Sequence, residues 1–157
     1  MIDSLDPIIS ADVARGVCRL LLRHDLAAIK EVPLGNGRRV DVMALSPHGI
    51  VTIVEIKVSK ADLLGDGKWP EYLDYCDHYY WAVPQGFDLS LFDREMLMPA
   101  RTGLIVADRY DAAILREPAP ATLAPARRKA ETLRFARQAA RQLLSLTEGP
   151  EFSGSQG

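Results

Sequence analysis

The sequence contains few of the residues from which disulfide frameworks and zinc sites are built. Only two of its 157 residues are cysteines, Cys18 and Cys76, and they are too far apart to form a C-x-x-C pair. The three histidines, His24, His48 and His78, are isolated from one another. We therefore expect two reduced thiols, and neither a zinc site nor a Cys/His nucleophile.

Long apolar segments are also missing. A membrane-spanning helix needs about 20 apolar residues, and no run in the sequence approaches that length. The N-terminus lacks the basic stretch and apolar stretch of a signal peptide, so we expect a cytoplasmic protein without membrane contact. The length and a hydrophobic content of 48% predict one globular domain over residues 1–147, followed by a disordered tail rich in Gly and Ser over 148–157.

Charge is distributed unevenly, although the net charge is only −2. Residues 60–95 carry eight acidic and three basic side chains, and residues 127–141 carry six basic side chains and one acidic side chain. A basic helix is often only a solvated surface, and that alternative stays open here. A polyanionic partner is nevertheless compatible with the acidic pI of the whole chain.

The stretch over residues 38–57 predicts a β-hairpin that carries charged side chains. Two runs rich in β-branched residues, 39–45 and 50–57, flank a Ser-Pro-His-Gly turn. Side chains alternate across a strand, so Glu55 and Lys57 share a face, and antiparallel pairing brings Asp41 close to Glu55. Ionised groups beside a core need a metal, a partner or water to compensate their charge. The simpler alternative is an exposed Glu55–Lys57 pair of little energetic consequence.

Helical and extended patterns place this hairpin within a mixed sequence of elements. The periodicity of residues 126–146 predicts a long C-terminal helix whose core stripe is Leu133, Ala136, Ala140, Leu143 and Leu144. We expect helices also at 10–24, 61–64, 69–76 and 90–95, and strands at 27–32, 78–83, 103–107 and 112–115.

The resulting αβββαβ order, with the acids spaced as D-x13-E-x-K, resembles the PD-(D/E)xK nuclease superfamily. That resemblance implies a restriction-endonuclease-like core, an α/β fold with a mixed central sheet flanked by helices. It implies that Asp41 and Glu55 bind Mg²⁺, or Mn²⁺ in its place, with help from the carbonyl of Ile56. Lys57 would orient or activate the attacking water. Phosphodiester hydrolysis benefits from an oxygen-ligated hard cation and from a positive group near the developing charge.

Two departures from the superfamily pattern concern the acidic residues. Val40 stands where the motif has proline, and the first helix offers no glutamate on its expected inner face. Glu31, on the strand before the hairpin, is a candidate additional acid. An exposed glutamate at the end of a strand is an equally good interpretation of Glu31.

Substrate contacts are expected downstream of the hairpin. Lys68 and Tyr72 lie where many exonuclease-like relatives place a Q-x-x-x-Y element, and a spacing of four puts both on one helix face. Such a lysine can hold a phosphate, and such a tyrosine can stack on a base. Arg39 and Lys60 are further candidates for binding DNA. Trp69, in contrast, is expected to pack in the core.

A closer resemblance, to the MmcB-like family of DNA-repair proteins, covers most of residues 8–145. It rests on the E-I-K of residues 55–57 and on the runs 38–41, 60–64, 68–72, 76–77, 79–84 and 102–107. The resemblance implies a role in the response to DNA damage, metal-dependent DNA cleavage, and a stand-alone domain.

These observations favour a Mg²⁺-dependent endonuclease that acts on DNA in repair. Two alternatives belong to other classes. One is a non-catalytic DNA-binding or regulatory module that keeps the nuclease fold. The other is a protein-interaction domain that uses the acidic surface of residues 60–95.

Overall fold

Six strands and three α-helices make up the part of the chain that the structure, a computed structural model, describes, residues 6–149. The helices are α1 (Ser10–Arg23), α2 (Lys60–Gly65) and α3 (Pro125–Glu148). The strands are β1 (Ala27–Pro33), β2 (Arg39–Leu45), β3 (Val51–Ile56), β4 (His78–Pro84), β5 (Gly103–Ala107) and β6 (Ala112–Arg116). Short 3-10 helices occupy Trp69–Tyr75, Leu89–Asp93 and Glu95–Leu97.

The strands form one mixed sheet in sequence order, β1-β2-β3-β4-β5-β6. β1, β2 and β3 pair antiparallel, β3, β4 and β5 pair parallel, and β6 returns antiparallel to β5. A parallel pair needs a crossover, and α2 with the first 3-10 helix supplies the one between β3 and β4. The predicted α/β class with a mixed central sheet and flanking helices is confirmed, and the order is consistent with a restriction-endonuclease-like core.

The sheet is covered on both faces, so its central strands are buried. α1 packs its apolar stripe, including Val13, Val17 and Leu21, on one face. The other face carries the larger aromatic core, in which Trp69 and Trp81 meet edge to face. All six residues of β3 are buried, as expected for a strand that has a neighbour on each side and a layer on each face. The expected burial of Trp69 is confirmed.

The predicted core stripe of α3 is wrong. Leu133, Leu143 and Leu144 are exposed, whereas the buried residues of the helix are Glu131 and Phe135. The helix is positioned by polar contacts as well as by apolar ones. Hydrophobic periodicity does not register such contacts, and it therefore selected the wrong face.

Asp77 is the buried polar residue that ties α3 to the sheet. Its carboxylate accepts two hydrogen bonds of 2.8 Å from the guanidinium of Arg128. It also accepts the backbone N–H of Val51 at 2.8 Å and that of Leu123 at 3.0 Å. Burial opposes ionisation, but Arg128 and these donors outweigh it and hold the pKa of Asp77 below its ordinary value.

The predicted helices and strands agree with the structure to within a few residues at their ends. The predicted C-terminal tail is described only in part. α3 continues to Glu148, the first residue of the predicted tail, and the rest of that tail from residue 150 lies outside the described residues. Within residues 6–149, no helix has the length and apolar composition required to cross a membrane.

Candidate active site

The expected acids lie where β2 and β3 stop pairing. The ladder between the two strands ends at the pair Val42 and Val54. The next residue outward on each strand is an acid, Asp41 on β2 and Glu55 on β3. Because backbone pairing has ended there, the peptide groups at this point need other partners.

The two carboxylates supply those partners through a reciprocal pair of hydrogen bonds. Asp41 N–H donates to Glu55 Oε1 at 3.0 Å, and Ile56 N–H donates to Asp41 Oδ2 at 2.8 Å. Each side chain therefore has one oxygen fixed by the neighbouring strand's backbone. Within the described part of the chain, no N–H group donates to the other oxygens, Asp41 Oδ1 and Glu55 Oε2.

Burial makes this pair of acids electrostatically unfavourable when both are ionised. Glu55 is only 5% exposed. Burial, followed by the charge of Asp41, raises the pKa of Glu55 to about 8. The pKa of Asp41 is raised as well, chiefly by burial, although the Ile56 N–H and Lys57 oppose the shift. A cation between the carboxylates would relieve the repulsion.

Lys57 is the buried base of the site. It is 7% exposed. Its ammonium donates to Asp66 Oδ2 at 3.0 Å and lies 3.8 Å from Asp62 Oδ1. Both aspartates belong to α2 or follow it directly, and α2 begins with Ser59, whose side chain accepts the Asp62 N–H at 3.1 Å. Asp62 and Asp66 of this short helix and its C-cap thus fix Lys57 in the cavity that Asp41 and Glu55 also line.

A cavity of about 690 Å³ opens onto these groups. It is lined by Asp41, Glu55, Ile56, Lys57 and Asp62, by Ser10, Ala11 and Ala14 of α1, by Lys30 and Glu31 of β1, and by Gln142 of α3. None of the three α1 residues that line it is acidic, in line with the lack of a glutamate on the inner face of that helix in the sequence. The cavity therefore collects every predicted catalytic and metal-binding residue, together with the candidate Glu31.

Glu31 reaches the cavity because β1 is irregular there. Lys30 pairs with Val42 and Val32 with Val40, but Glu31 has no pair in the ladder. Its φ of 57° lies in the left-handed region that a residue with a side chain seldom adopts. Such irregular residues are common next to active sites, where they redirect a side chain.

Three of the four predicted substrate-binding residues line a second, open cleft. Arg39, Lys68 and Tyr72 surround about 500 Å³ of space together with Arg38 and the Asn36-Gly37 turn. The hydroxyl of Tyr72 donates to the carbonyl of Arg39 at 3.3 Å. Burial and the nearby charge of Glu55 raise the pKa of Tyr72 to about 12.

Lys60 does not join the other predicted substrate-binding residues. It lines a separate cavity of about 380 Å³ with Ser59 and residues 84–88. Lys68 and Tyr72 belong to a 3-10 segment and its start rather than to an α-helix. They nevertheless face the same cleft.

Sequence reasoning missed Asp62 and Asp66 as site residues. The signal was their position, five and nine residues beyond Lys57, on a short helix that begins immediately after the strand. From the sequence alone, both residues count only as part of the acidic stretch of residues 60–95. Among the described residues, however, no group of three or more His, Cys, Asp or Glu side chains is close enough to hold a metal ion. Glu31 lines the same cavity as Asp41 and Glu55, and its role as an additional acid stays a prediction.

Comparison with known proteins identifies the family to which the chain belongs. A family model described as "DNA repair protein MmcB-like" matches residues 2–149. The chain belongs to the MmcB-like family. The predicted family is thereby confirmed, and the family's name associates the chain with DNA repair.

A solved structure resembles this MmcB-like chain over nearly its whole length. It is described as a protein of unknown function from Silicibacter pomeroyi, and it is 44% identical with a TM-score of 0.82. The match covers 98% of the present chain and 100% of that one. Among curated proteins, none matches. The relatives therefore support the fold and the family, and the chemistry must be argued from the site.

Proposed function

We propose that this protein is a metal-dependent endonuclease that hydrolyses DNA phosphodiester bonds during repair. Asp41 and Glu55 hold Mg²⁺, or Mn²⁺ in its place, with the carbonyl of Ile56 as a further ligand. Lys57 positions the attacking water and offsets charge on the phosphate. The observation that carries the proposal is the reciprocal hydrogen bonding of the buried Glu55 and the half-buried Asp41 at a cavity that a buried lysine also lines.

The free oxygens of the acids suit a hard cation. One oxygen of each carboxylate is fixed by a backbone N–H, which leaves Asp41 Oδ1 and Glu55 Oε2 as a preorganised pair. Mg²⁺ prefers oxygen ligands and usually keeps several waters, so two carboxylates are compatible with Mg²⁺ binding. A bound cation would polarise the phosphoryl group and lower the pKa of a water molecule.

Lys57 is suited to positioning rather than to binding the cation. Its contacts with Asp66 and Asp62 hold the ammonium against the cavity wall. An ammonium has three donors, so the bond to Asp66 leaves others for a water or a phosphate oxygen. A positive group placed where charge develops accelerates phosphoryl chemistry.

A non-catalytic DNA-binding module remains the second candidate. The observation that favours it is the absence of a third acid at the cation position among the described residues. Such a module would bind DNA equally well with and without Mg²⁺. It would also lose no function on substitution of Glu55.

The test is a cleavage assay on labelled linear, flapped, branched and crosslinked DNAs, with Mg²⁺, with Mn²⁺ and with EDTA. We expect metal-dependent product from the wild-type protein and none from Asp41→Asn, Glu55→Gln or Lys57→Met. Asp74→Asn is the matched control, because it removes a partly exposed carboxylate that does not line the cavity.

Isothermal titration with Mn²⁺ separates binding from chemistry. The acid variants should lose Mn²⁺ binding, whereas Lys57→Met should retain it while losing cleavage. Absence of product on every DNA, together with DNA binding that neither metal nor Glu55→Gln alters, would exclude the nuclease and favour the regulatory module.

A further inference from the structure

One flank of α3 carries a row of four arginines whose role the nuclease site leaves unexplained. Arg127, Arg134, Arg137 and Arg141 fall within one sector of the helix at 100° per residue, beside the buried stripe of Glu131 and Phe135. From Arg127 to Arg141 the row extends about 21 Å at 1.5 Å per residue. We call these four residues the arginine row.

The first half of the arginine row is held rigidly. Glu131 is fully buried beneath it and accepts a hydrogen bond of 2.9 Å from Arg134, with Arg127 at 3.6 Å on its other oxygen. The guanidinium of Arg127 also lies 4.3 Å from the ring centroid of Tyr75. These contacts order long side chains before any partner arrives, which reduces the entropy lost on binding.

The second half of the row is charged and unpaired. Arg137 and Arg141 are exposed, and neither has a carboxylate partner among residues 6–149. With Arg134 they line a groove of about 260 Å³ against Pro33, at the end of β1. Two free guanidinium groups on a rigid helix make a surface suited to phosphate.

The row continues toward both cavities of the candidate site. Arg134 lies against Gly35, in the β1–β2 turn whose next residues line the cleft of Arg39 and Lys68. On the same helix, Gln142 lines the cavity that contains Asp41 and Glu55. A polyanion seated on the row would therefore lie along the helix that contributes Gln142 to the cavity of the acids.

The aromatic side chains indicate which polyanion fits. Proteins that bind single strands combine basic grooves with aromatic side chains on which the bases stack. Among the described residues, Tyr110 is the one exposed Phe, Tyr or Trp, and it lies in the β5–β6 turn, at the far side of the sheet from β1. The arginine row thus offers phosphate contacts without a stacking surface.

We propose that the arginine row binds the phosphate backbone of duplex DNA flanking the bond presented to the cavity. The part of the inference that brings the DNA to the cavity rests on the proposed function. Binding of DNA to the arginine row needs neither metal nor cleavage. Phosphate contacts fix register without reading sequence. Binding through the row is therefore sequence-independent.

The experiment measures fluorescence anisotropy of a labelled duplex in EDTA at several salt concentrations. The test variant is Arg137→Gln/Arg141→Gln, which spares the two arginines that Glu131 holds. The matched control is Lys129→Gln/Arg94→Gln. It removes the same charge from exposed residues outside the row, and neither of these has a carboxylate partner in the described chain.

The phosphate contacts of Arg137 and Arg141 should be visible in the salt dependence of the affinity for duplex DNA. Each phosphate contact contributes about 0.9 to the slope of log affinity against log salt, so the row variant should lower the slope by about 1.8. At 0.1 M salt that corresponds to a dissociation constant raised on the order of 60-fold. The control should match the wild type, and a single strand of the same length should bind more weakly and respond little to the row variant.

Three results would overturn the proposal: equal effects of the row variant and the control, a larger loss for the single strand than for the duplex, or no duplex binding by the wild type in EDTA. Thermal melts of both variants exclude unfolding as the cause. Failure of the nuclease proposal is distinguishable, since it would appear as absent metal-dependent cleavage while the binding result in EDTA stands.

Discussion

Replacing Glu55 with glutamine should remove the pH dependence that this residue imposes on stability. The ordinary pKa of a glutamate is 4.5, and in the folded protein burial and Asp41 raise the pKa of Glu55 to about 8. The folded state therefore keeps a proton that the unfolded state releases. The contribution of Glu55 to stability is therefore greatest at or below its ordinary pKa of 4.5 and falls as the pH rises toward about 8.

The size of this loss follows from linkage. One proton of difference changes the free energy of unfolding by about 1.4 kcal/mol per pH unit. Across the window from 4.5 to about 8, the sum is about 5 kcal/mol for this single group. That is a large part of the stability of an ordinary domain.

The assay is urea denaturation of wild type and Glu55→Gln in EDTA between pH 5 and pH 9. A glutamine keeps an oxygen to accept the Asp41 N–H and cannot ionise. The variant should therefore gain on the wild type by several kcal/mol toward the alkaline end, while Asp74→Asn should run parallel to the wild type. Parallel curves for Glu55→Gln would refute the electrostatic account of the acid pair. Adding Mg²⁺ should stabilise the wild type most at alkaline pH and should leave Glu55→Gln unchanged.

Three further predictions concern the scaffold. Asp77→Ala should destabilise the protein by about 3 to 5 kcal/mol in chemical denaturation, because it leaves Arg128 without its carboxylate partner and two backbone donors without an acceptor; an effect below 1 kcal/mol would contradict this. Gly16→Ala should lower stability by about 1 to 3 kcal/mol, since a Cβ there would lie 2.6 Å from the carbonyl oxygen of Asp111; an unchanged melting temperature would show that the turn can move. Ser59→Ala should cost about 1 kcal/mol in the same assay by removing the cap of α2, and Ser59→Asp should restore it.

The hairpin and its acids could be predicted because several independent sequence signals agree there. Three signals require the same pairing register between β2 and β3. They are the β-branched runs, the four-residue turn and the spacing of Asp41, Glu55 and Lys57. The structure has that register, although the acids bond to the opposite backbone rather than simply facing each other. That exchange depends on the local separation of two strands, which no residue pattern encodes.

The placement of α3 depends on contacts between residues far apart in sequence. Asp77 and Arg128 are 51 residues apart, and each reads in isolation as an ordinary charged residue. Glu131, a charged residue in a basic helix, is fully buried. The leucines that suggested the core face of α3 are exposed because these polar anchors set the rotation of the helix.

The outer edge of β1 has a consequence for how the protein behaves at high concentration. An uncovered edge strand offers unpaired peptide groups to any other strand. Here Gln142 donates to the carbonyl of Lys30 at 2.6 Å, and Gln138 donates to that of Glu31 at 3.5 Å. Pro33 removes one donor from the same edge. The glutamines of α3 thus occupy hydrogen-bonding positions along the edge of β1. The helix that carries the arginine row therefore also protects the sheet from pairing edge to edge with the strands of other chains.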